Sequence, residues 1–270
     1  MGASSSTRLE NSDWMSSLPD NVQLHKILIP GTHNSAAKGH WLVWVNCQSW
    51  SIPDQLRAGL RFFDIRGHFN SDSNLILHHG FSHLNKSLEE VIAEMIEFLK
   101  SHGGETIIMK LQNEYGPGGE EYKKVAEKLM DKERWWISNG NKFPSLRDVR
   151  GKIILFQNFG DESSIYGLPW SHVDVRNGFE FNLWRQAWKS SKKRLHEAKN
   201  EKERWYEVPL SATVLAFQPS HTASFVNRKA LRYFQALEDT ITCIISMDYA
   251  NDKLVSRMVE LAKKPYECIG

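Results

Sequence analysis

The chain contains little of what marks several classes of protein. Only three of its 270 residues are cysteine, an odd number, and positions 47, 243 and 268 lack the close spacing of zinc-binding motifs. No stretch approaches the roughly 20 consecutive apolar residues needed to cross a bilayer. Positive and negative side chains nearly cancel, with 34 Lys and Arg against 32 Asp and Glu. We therefore expect no disulfide framework, no membrane span and no nucleic-acid partner.

The first residues of the chain are polar and rich in serine, and they lack the apolar segment of a signal peptide. The start Met1-Gly2-Ala3-Ser4-Ser5-Ser6 matches the pattern for N-myristoylation of Gly2, and an unmodified serine-rich tail is the alternative interpretation. We expect residues 1–20 to form a flexible tail. The compartment is expected to be cytoplasmic, or extracellular if a leader has been removed.

Apolar, strand-like runs alternate with helical stretches along the chain, which is typical of a parallel sheet built from βα units. The helical period is clearest in Ser87–Ser101 and Glu120–Asp131, and the charged stretch Trp188–Trp205 is expected to be a solvated helix. The pattern predicts a single α/β domain over residues 21–270, a (β/α)8 barrel. The eight predicted strands are Lys26–Ile29, Arg61–Arg66, Asn74–Leu77, Thr106–Gln112, Lys152–Phe156, Phe179–Leu183, Ala212–Phe217 and Thr242–Met247.

Polar side chains close three of these strands. His33 follows the first strand, Asp64 and Arg66 share one face of the second, and His79 shares a face with the apolar residues of the third. Because the carboxyl ends of barrel strands form one mouth, we expect these side chains to meet. A base, an acid and a fixed cation are what a phosphodiester needs for cleavage without a metal.

A carboxylate closes the last predicted strand, at Asp248. In a closed barrel the eighth strand lies beside the first, so Asp248 can reach His33. A carboxylate partner fixes the tautomer of a histidine base and stabilises its charged form. The alternative is that Asp248 caps the helix that follows it.

The motifs Ile29-Pro30-Gly31-Thr32-His33-Asn34-Ser35, Phe63-Asp64-Ile65-Arg66-Gly67 and Leu77-His78-His79-Gly80 resemble the X domain of phosphatidylinositol-specific phospholipases C. They are most similar to the metal-independent, bacterial-type enzymes, and the resemblance extends from His25 to about Lys263. It implies a distorted TIM barrel that attacks phosphatidylinositol or its glycosylated derivatives through the inositol 2-hydroxyl. The implied products are diacylglycerol and inositol 1,2-cyclic phosphate.

The resemblance also implies a role for each polar residue of the site. It makes His33 the general base, His79 the general acid and Arg66 the cation on the phosphoryl oxygens. Asp64 is assigned to the hydrogen-bond network of the site and Asn34 to the neighbourhood of the phosphate. The implied partner is a phospholipid membrane surface, bound peripherally by a monomer.

The sequence Asp64-Ile65-Arg66 bears on the metal question. Calcium-dependent relatives carry Glu-x-Asp at this place, so a guanidinium stands where they have a metal ligand. A guanidinium repels a divalent ion and offers a planar pair of donors to phosphate. We therefore expect no metal and no other cofactor.

The contacts to the inositol ring differ from the family pattern. Bacterial members place a lysine, an arginine, an aspartate and a stacking tyrosine there. This chain has Gln112, Asn158, Asn182 and Trp184 at those places. Lys110 shares a strand face with Gln112 and can supply the missing cation. We expect the substrate to bind against these four residues together with Asn34 and Lys110.

The segment Trp41-Leu42-Val43-Trp44 follows the first strand at the expected rim of the barrel. Tryptophan settles at the headgroup level of membranes, and the family carries a short membrane-inserting helix at this position. The resemblance therefore implies a membrane rim made of Trp41, Leu42, Val43 and Trp44. Burial of the segment under the edge of the barrel is the alternative.

Two other functions stay open. The first is a metal-dependent phosphodiesterase of another lipid head group, similar to glycerophosphodiesterases or sphingomyelinase D; it needs a carboxylate cluster, which Arg66 opposes. The second is a catalytically impaired, lipid-binding barrel. The altered ring contacts favour that second function, whereas the complete set of His33, Arg66, His79 and Asp248 opposes it.

Overall fold

The structure, a computed structural model, describes residues 11–69, 75–115, 119–129, 134–160, 167–175, 184–200, 203–211 and 218–267. Within these residues the strands are β1 Ile29–Thr32, β2 Phe62–Phe69, β3 Leu75–His79, β4 Ser82–Ser87, β5 Ile107–Asn113, β6 Ile153–Asn158, β7 Leu168–Pro169, β8 Val173–Asp174, β9 Trp205–Pro209 and β10 Ile244–Met247. The α-helices are α1 Ile52–Ala58, α2 Leu88–Ser101, α3 Glu120–Leu129, α4 Leu146–Val149, α5 Trp184–Ala198, α6 Pro219–Gln235 and α7 Asp252–Lys263. Single 3₁₀ turns occur at Met15–Ser17, Leu24–Lys26, Val43–Val45, Trp170–His172 and Lys264–Tyr266.

Eight of the strands form a parallel barrel. Their order is β7-β6-β5-β2-β1-β10-β9-β8, and every neighbouring pair in this order is parallel. The two end strands, β7 and β8, are joined in the chain by the single turn Trp170–His172, so the sheet closes almost completely. The predicted fold class, a distorted (β/α)8 barrel, is confirmed.

The predicted third strand, Asn74–Leu77, is wrong as a barrel strand, and Asn74 itself lies outside the described residues. β3 runs antiparallel to β2 and pairs with β4 on its other side. Only Gly80 and Phe81 separate β3 from β4, and a link of two residues can join only antiparallel neighbours. Gly80 has a φ of 55°, which such tight turns require and which glycine adopts without strain.

Two further predicted strands, Phe179–Leu183 and Ala212–Phe217, lie outside the described residues. The structure instead completes the barrel with β7, β8 and β9. The helix predicted over Trp188–Trp205 ends at Ala198, and Trp205 begins β9. Trp205 is the one residue of the predicted range that belongs to β9, so the charged composition of the range describes α5 and the link after it and not the strand.

Helix ends follow local sequence signals. A capping box begins α2, since the Ser87 side chain accepts from the Glu90 backbone N–H and the Glu90 carboxylate accepts from the Ser87 backbone N–H. Helix α1 ends at Gly59 with a φ of 108°, the left-handed cap that glycine favours. Among the described residues, no helix has both the length and the hydropathy that crossing a bilayer demands.

Residues 11–20 are not the flexible tail that the sequence suggests; residues 1–10 lie outside the described residues. The segment packs under the N-terminal ends of the strands, where the Trp14 indole donates to the Gly59 carbonyl at 3.0 Å. Arg61 and Glu105 form a fully buried ion pair there at 2.7 Å. The segment completes this pair, because two of its backbone N–H groups donate to the Glu105 carboxylate and its carbonyls accept from Arg61.

Removing one member of this buried pair should destabilise the fold strongly. Glu105→Ala leaves the Arg61 guanidinium buried without a counter-charge and leaves two amides of the segment without an acceptor. We expect a loss of about 3–5 kcal/mol in the free energy of unfolding, measured by urea denaturation followed by circular dichroism.

The matched control is Glu97→Ala on α2. Glu97 forms an exposed pair with Lys100, and such pairs contribute less than about 1 kcal/mol. Equal stabilities of the Glu105→Ala and Glu97→Ala variants would show that residues 11–20 are not fixed by the buried pair.

Candidate active site

The ends of two adjacent strands bring His33 and Asp248 together. β1 and β10 pair in parallel with Thr32 opposite Met247, so the next residue of each strand emerges at the same level of the barrel mouth. The His33 Nδ1–H donates to Asp248 Oδ1 at 2.8 Å. This is the contact expected from the order of the strands, and the carboxylate holds the Nδ1-protonated tautomer of the ring. The Nε2 of His33 is then left as the proton acceptor.

The backbone around this pair is tightly constrained. The Gln48 side-chain amide donates to the carbonyls of both His33 and Met247, at 2.8 and 2.9 Å. Asn34 and Tyr249, which follow the two paired residues, both have a φ of 45°. Left-handed backbone is uncommon for residues with a side chain, especially a bulky one such as tyrosine. It turns each chain away from the mouth directly after the paired side chains.

The hairpin of β3 and β4 supplies the second histidine. The His79 Nδ1 lies 2.6 Å from the Val45 carbonyl, which can only accept, so Nδ1 carries the proton of the neutral ring. The rings of His33 and His79 are perpendicular, with centroids 6.4 Å apart. His78 points away from the site, toward the His83 ring at 4.2 Å. Burial lowers the pKa of His79, and the contact with Val45 opposes this shift only in part.

A buried carboxylate organises the cations of the site. Asp64 Oδ2 accepts from Arg66 Nε and Nη2 at 3.0 and 2.8 Å, and its Oδ1 lies 3.2 Å from the Lys110 ammonium. The backbone N–H of Asn34 donates to the same Oδ2 at 3.2 Å. Glu114, which sequence reasoning did not identify, lies 3.7 Å from the other side of the Arg66 guanidinium.

The ionisation of this cluster follows from its charges. Burial alone raises the pKa of Asp64, but the charges of Arg66 and Lys110 outweigh burial and hold the pKa far below its ordinary value. For Arg66, burial acts downward, and the carboxylates of Asp64 and Glu114 raise the pKa above its ordinary value. Asp64 and Arg66 therefore both stay charged at neutral pH.

A cavity of about 420 Å³ opens beside these groups at the carboxyl ends of the strands. Six of the predicted residues line it: His33, Asp64, Arg66, Lys110, Gln112 and Asn158. The predicted Asn34, His79 and Asp248 lie beside these rather than on the cavity wall. Asn182 lies outside the described residues. Trp184 begins α5, and its side chain also lies outside the description.

Polar contacts extend around the cavity wall. The Asn158 amide donates to Gln112 Oε1 at 3.0 Å, and Lys110 Nζ lies 4.7 Å from the centre of the Trp170 ring. Lys110 does share the cavity with Gln112, as expected, although its charge is already matched by Asp64. The side-chain amides of Gln112 and Asn158, which carry no charge, also line the cavity.

Sequence reasoning missed several residues of the site. Glu207 and Ser246 line the cavity from β9 and β10 and are joined by a hydrogen bond. Burial raises the pKa of Glu207, although Lys110 and the Ser246 hydroxyl oppose the shift. The available signal for Glu207 is a charged residue between apolar neighbours in Trp205-Tyr206-Glu207-Val208. Trp170 also lines the cavity, and no feature of the sequence around it indicated a place in the site.

Cys47 is a further residue that sequence reasoning did not place in the site. Its sulfur lies 3.8 Å from His79 Nδ1, and only 1% of the residue is exposed. Burial and the nearby Asp248 carboxylate raise the pKa of this thiol well above its ordinary value. Among the described residues, one group of possible metal ligands is close enough to share an ion: His33, Cys47 and Asp248, with ligand atoms within 4.8 Å of one another.

The predicted membrane rim is largely exposed. Trp41 is 82% and Trp44 59% accessible, and Val43 is also exposed. Leu42 is the exception, because it is partly buried and packs against the core. The Val45 amide donates to the Leu42 carbonyl to form a 3₁₀ turn, and a single turn cannot present all of its side chains to one side.

Known proteins are similar to most of this chain in sequence and in fold. Residues 21–159 match the family described as phosphatidylinositol-specific phospholipase C, X domain. The 1-phosphatidylinositol phosphodiesterase of Listeria monocytogenes is 26% identical over 270 residues, covering 92% of this chain and 84% of that protein. The enzyme of the same name from Staphylococcus aureus is 30% identical over 192 residues, which cover 66% of this chain and 62% of that protein. The solved structure of the phosphatidylinositol-specific phospholipase C from Listeria monocytogenes superposes with a TM-score of 0.85, covering 93% of this chain and 98% of that one.

The charge cluster predicts how stability depends on pH. The folded-state pKa of Asp64 is lowered, so its stabilisation is present above the unfolded-state pKa of about 4 and is lost as the pH falls toward the folded value. At neutral pH, Asp64→Asn should cost about 3–5 kcal/mol in the free energy of unfolding, since Arg66 and Lys110 lose their counter-charge. We expect this difference from wild type to shrink as the pH is lowered to about 3, measured by urea denaturation.

The control is Asp239→Asn, which changes an exposed aspartate. Its effect should stay within about 0.5 kcal/mol throughout. A difference for Asp64→Asn that is small at neutral pH, or that grows on acidification, would contradict the charge assignment.

Proposed function

Since the chain belongs to the X-domain family of phosphatidylinositol-specific phospholipases C, we propose that it cleaves the glycerol–phosphate bond of phosphatidylinositol or glycosylated phosphatidylinositol. The products are diacylglycerol and inositol 1,2-cyclic phosphate. One observation carries the proposal: two histidines with different Nδ1 partners stand 6.4 Å apart beside a fixed guanidinium. This is a base, an acid and a cation around a space large enough for a sugar ring.

His33 acts as the general base. Its Nε2 takes the proton of the inositol 2-hydroxyl, whose oxygen attacks the neighbouring phosphorus. The Asp248 carboxylate keeps the ring in the tautomer whose Nε2 accepts and stabilises the imidazolium that forms. The cyclic phosphate results because the attacking oxygen belongs to the same inositol ring as the phosphate ester.

His79 acts as the general acid and protonates the glycerol oxygen as it leaves. Its Nδ1–H is fixed by the Val45 carbonyl, so the proton that it delivers is carried on Nε2. A lowered pKa makes His79 a readier proton donor and reduces the fraction that is protonated at neutral pH. The two histidines need opposite protonation states, so we infer a bell-shaped dependence of activity on pH.

Arg66 stabilises the charge that develops on the phosphoryl oxygens. Two of its nitrogens are held by Asp64, which fixes the plane of the guanidinium before the substrate binds. The Asn34 amide nitrogen, buried and without a hydrogen-bond partner among the described residues, is a second donor beside it. With the cation supplied by the chain itself, the reaction requires no metal ion.

The head group occupies the cavity between the phosphoryl machinery and β6. Lys110, Gln112 and Asn158 offer it one charged and two amide side chains, and Trp170 offers an aromatic face. Asn182 and Trp184 belong to this set by resemblance. Replacement of charged residues by amides favours neutral hydroxyl groups as partners, which suits an unphosphorylated inositol ring.

The exposed Trp41 and Trp44 bind the phospholipid surface from which the substrate is drawn. Trp44 is next to Val45, whose carbonyl holds His79, so the tryptophans stand close to the reacting groups. The proposed protein therefore works as a peripheral membrane enzyme, without a bilayer-spanning helix among its described residues.

The substrate assay tests the reaction directly. The chain is incubated with vesicles of phosphatidylinositol, phosphatidylcholine or sphingomyelin, each with and without EDTA, and phosphorus NMR identifies the product. We expect inositol 1,2-cyclic phosphate from phosphatidylinositol alone, in equal yield with EDTA. His79→Ala should lower the rate by about 100-fold or more, because a positioned acid contributes at least that much.

The matched control for His79→Ala is His78→Ala, the neighbouring histidine on the opposite face of β3. It should keep most of the activity per folded protein. Loss of activity in EDTA that calcium or magnesium restores would support the metal-dependent alternative. Binding of phosphatidylinositol vesicles without any product would support the lipid-binding alternative.

Changes at the exposed tryptophans of the membrane rim should weaken membrane binding without impairing catalysis. Burying two indoles stabilises the bound state by a few kcal/mol, at about 25 cal/mol per Å² of apolar area. The double change Trp41→Ala and Trp44→Ala should therefore weaken vesicle binding by about tenfold or more, measured by sedimentation. Hydrolysis of soluble inositol cyclic phosphate should change little.

The matched control replaces both tryptophans by phenylalanine, which retains most of the apolar area. This variant should bind vesicles more tightly than the double alanine variant. Equal affinity of wild type and the double alanine variant would mean that another surface reaches the lipid.

A further inference from the structure

The Cys47 thiol lies behind the two histidines, and the proposed reaction gives it no role. Its sulfur is 3.8 Å from His79 Nδ1, and it shares a space within 4.8 Å with His33 and Asp248. The contact of Cys47 with His79 lies at Nδ1, and so does the contact of Asp248 with His33, whereas the proposed reaction uses the Nε2 atoms of both rings. The thiol therefore lies beside groups that orient the histidines and not at the nitrogens that exchange protons with the substrate.

The backbone of Cys47 is fixed by hydrogen bonds at both of its polar atoms. Its N–H donates to the Ala37 carbonyl at 2.9 Å, and its carbonyl accepts from the Tyr249 N–H at 2.7 Å. The second bond links Cys47 directly to the residue that follows Asp248. The fold therefore holds the backbone of Cys47 next to the backbone that carries Asp248.

A thiol, an imidazole and a carboxylate together form a donor set with a definite preference. Sulfur with nitrogen and one oxygen suits Zn²⁺ and its softer relative Cd²⁺, whereas Ca²⁺ and Mg²⁺ take oxygen ligands. Tetrahedral zinc, with bonds of about 2.0–2.3 Å, needs ligand atoms roughly 3.5 Å apart. Small rotations of these side chains reach that separation from the present limit of 4.8 Å.

The nearby cations do not prevent binding of a divalent ion at this place. Arg66 and Lys110 are accompanied by two carboxylates, Asp64 and Glu114, so that cluster is close to neutral as a whole. The Cys47 group contributes the charge of Asp248, and a bound metal ion converts the thiol to a thiolate with release of its proton to solvent. The ion therefore meets a locally negative set of ligands.

We propose that Cys47, His33 and Asp248 form an inhibitory binding site for a thiophilic divalent cation, Zn²⁺ or Cd²⁺. When the ion binds Nδ1 of His33, the proton of that atom moves to Nε2, and Asp248 becomes a ligand of the ion. The base then has no free nitrogen to accept a proton and no longer has the carboxylate as its hydrogen-bond partner. Binding of the ion is independent of the reaction assigned above, whereas the inhibition rests on that proposed function.

Cadmium binding tests the site without any assay of activity. The full chain, treated with EDTA and freed of it, is titrated with Cd²⁺ while the ultraviolet charge-transfer absorption of the cadmium–thiolate bond is recorded. We expect one saturable equivalent in wild type, and cadmium NMR should show one sulfur among nitrogen and oxygen ligands. Cys47→Ser should lose the absorption.

Cys243→Ser and Cys268→Ser are the matched controls, since they remove the other two thiols of the chain. Both should keep the absorption of wild type. If Cys47→Ser does not fold, Cys47→Ala takes its place, and the NMR measurement on wild type needs no variant. Absorption that survives the loss of Cys47, or an all-oxygen cadmium spectrum in wild type, overturns the site.

Inhibition is tested separately with Zn²⁺ and the phosphatidylinositol assay. Each variant is compared with its own rate in EDTA. Zinc should inhibit wild type reversibly, and Cys47→Ser should need at least about tenfold more zinc for the same fractional loss, as expected for removal of a ligand. Equal sensitivity overturns the inhibitory role. Absence of any turnover would contradict the proposed function and leave the cadmium result to decide the site.

Discussion

The carboxylate of Asp64 keeps its charge in a place where only 3% of the residue meets solvent. Burial of this kind is tolerated because two cations, Arg66 and Lys110, lie against the carboxylate and the Asn34 backbone N–H donates to it. These groups come from β2, β5 and the segment directly after β1, so one charge links three neighbouring parts of the barrel mouth. The orientation of Arg66, and with it any stabilisation of a phosphoryl group, depends on this carboxylate.

The parallel pairing of β1 with β10 has a comparable effect on His33. It sets His33 beside Asp248 although 215 positions separate them in sequence. The close approach of β1 to β2 adds a steric requirement at Gly31, where a Cβ would lie 2.5 Å from the Cβ of Phe62. A side chain there would push the strand that carries His33 away from the strand that carries Asp64. The glycine of the first motif thus belongs to the site through packing.

Local patterns and the family resemblance predicted the parts of the site that lie at strand ends. Because side chains alternate along a strand, the Asp64-x-Arg66 spacing predicts that the two side chains share one face. The contact of His33 with Asp248 follows from barrel closure. The position of β3 could not be predicted in this way, because its register is set by pairing with β4 and not by a βα unit. Residues 11–20 were misjudged for a similar reason. The backbone of this segment is held by hydrogen bonds to Arg61 and Glu105, and these two residues meet only after distant segments have packed.

The two histidines differ in what holds their Nδ1 atoms, and this difference supports the different roles proposed for them. His33 faces a full negative charge, which stabilises the imidazolium formed when a base accepts a proton. His79 faces a neutral carbonyl, and burial lowers its pKa, so its protonated form gives up the proton readily. An exchange of these partners would exchange the preferences of the rings without moving either one. The proposed assignment of base and acid therefore rests on Asp248 and Val45 as much as on the histidines themselves, and Cys47 lies close to the nitrogen partners of both rings.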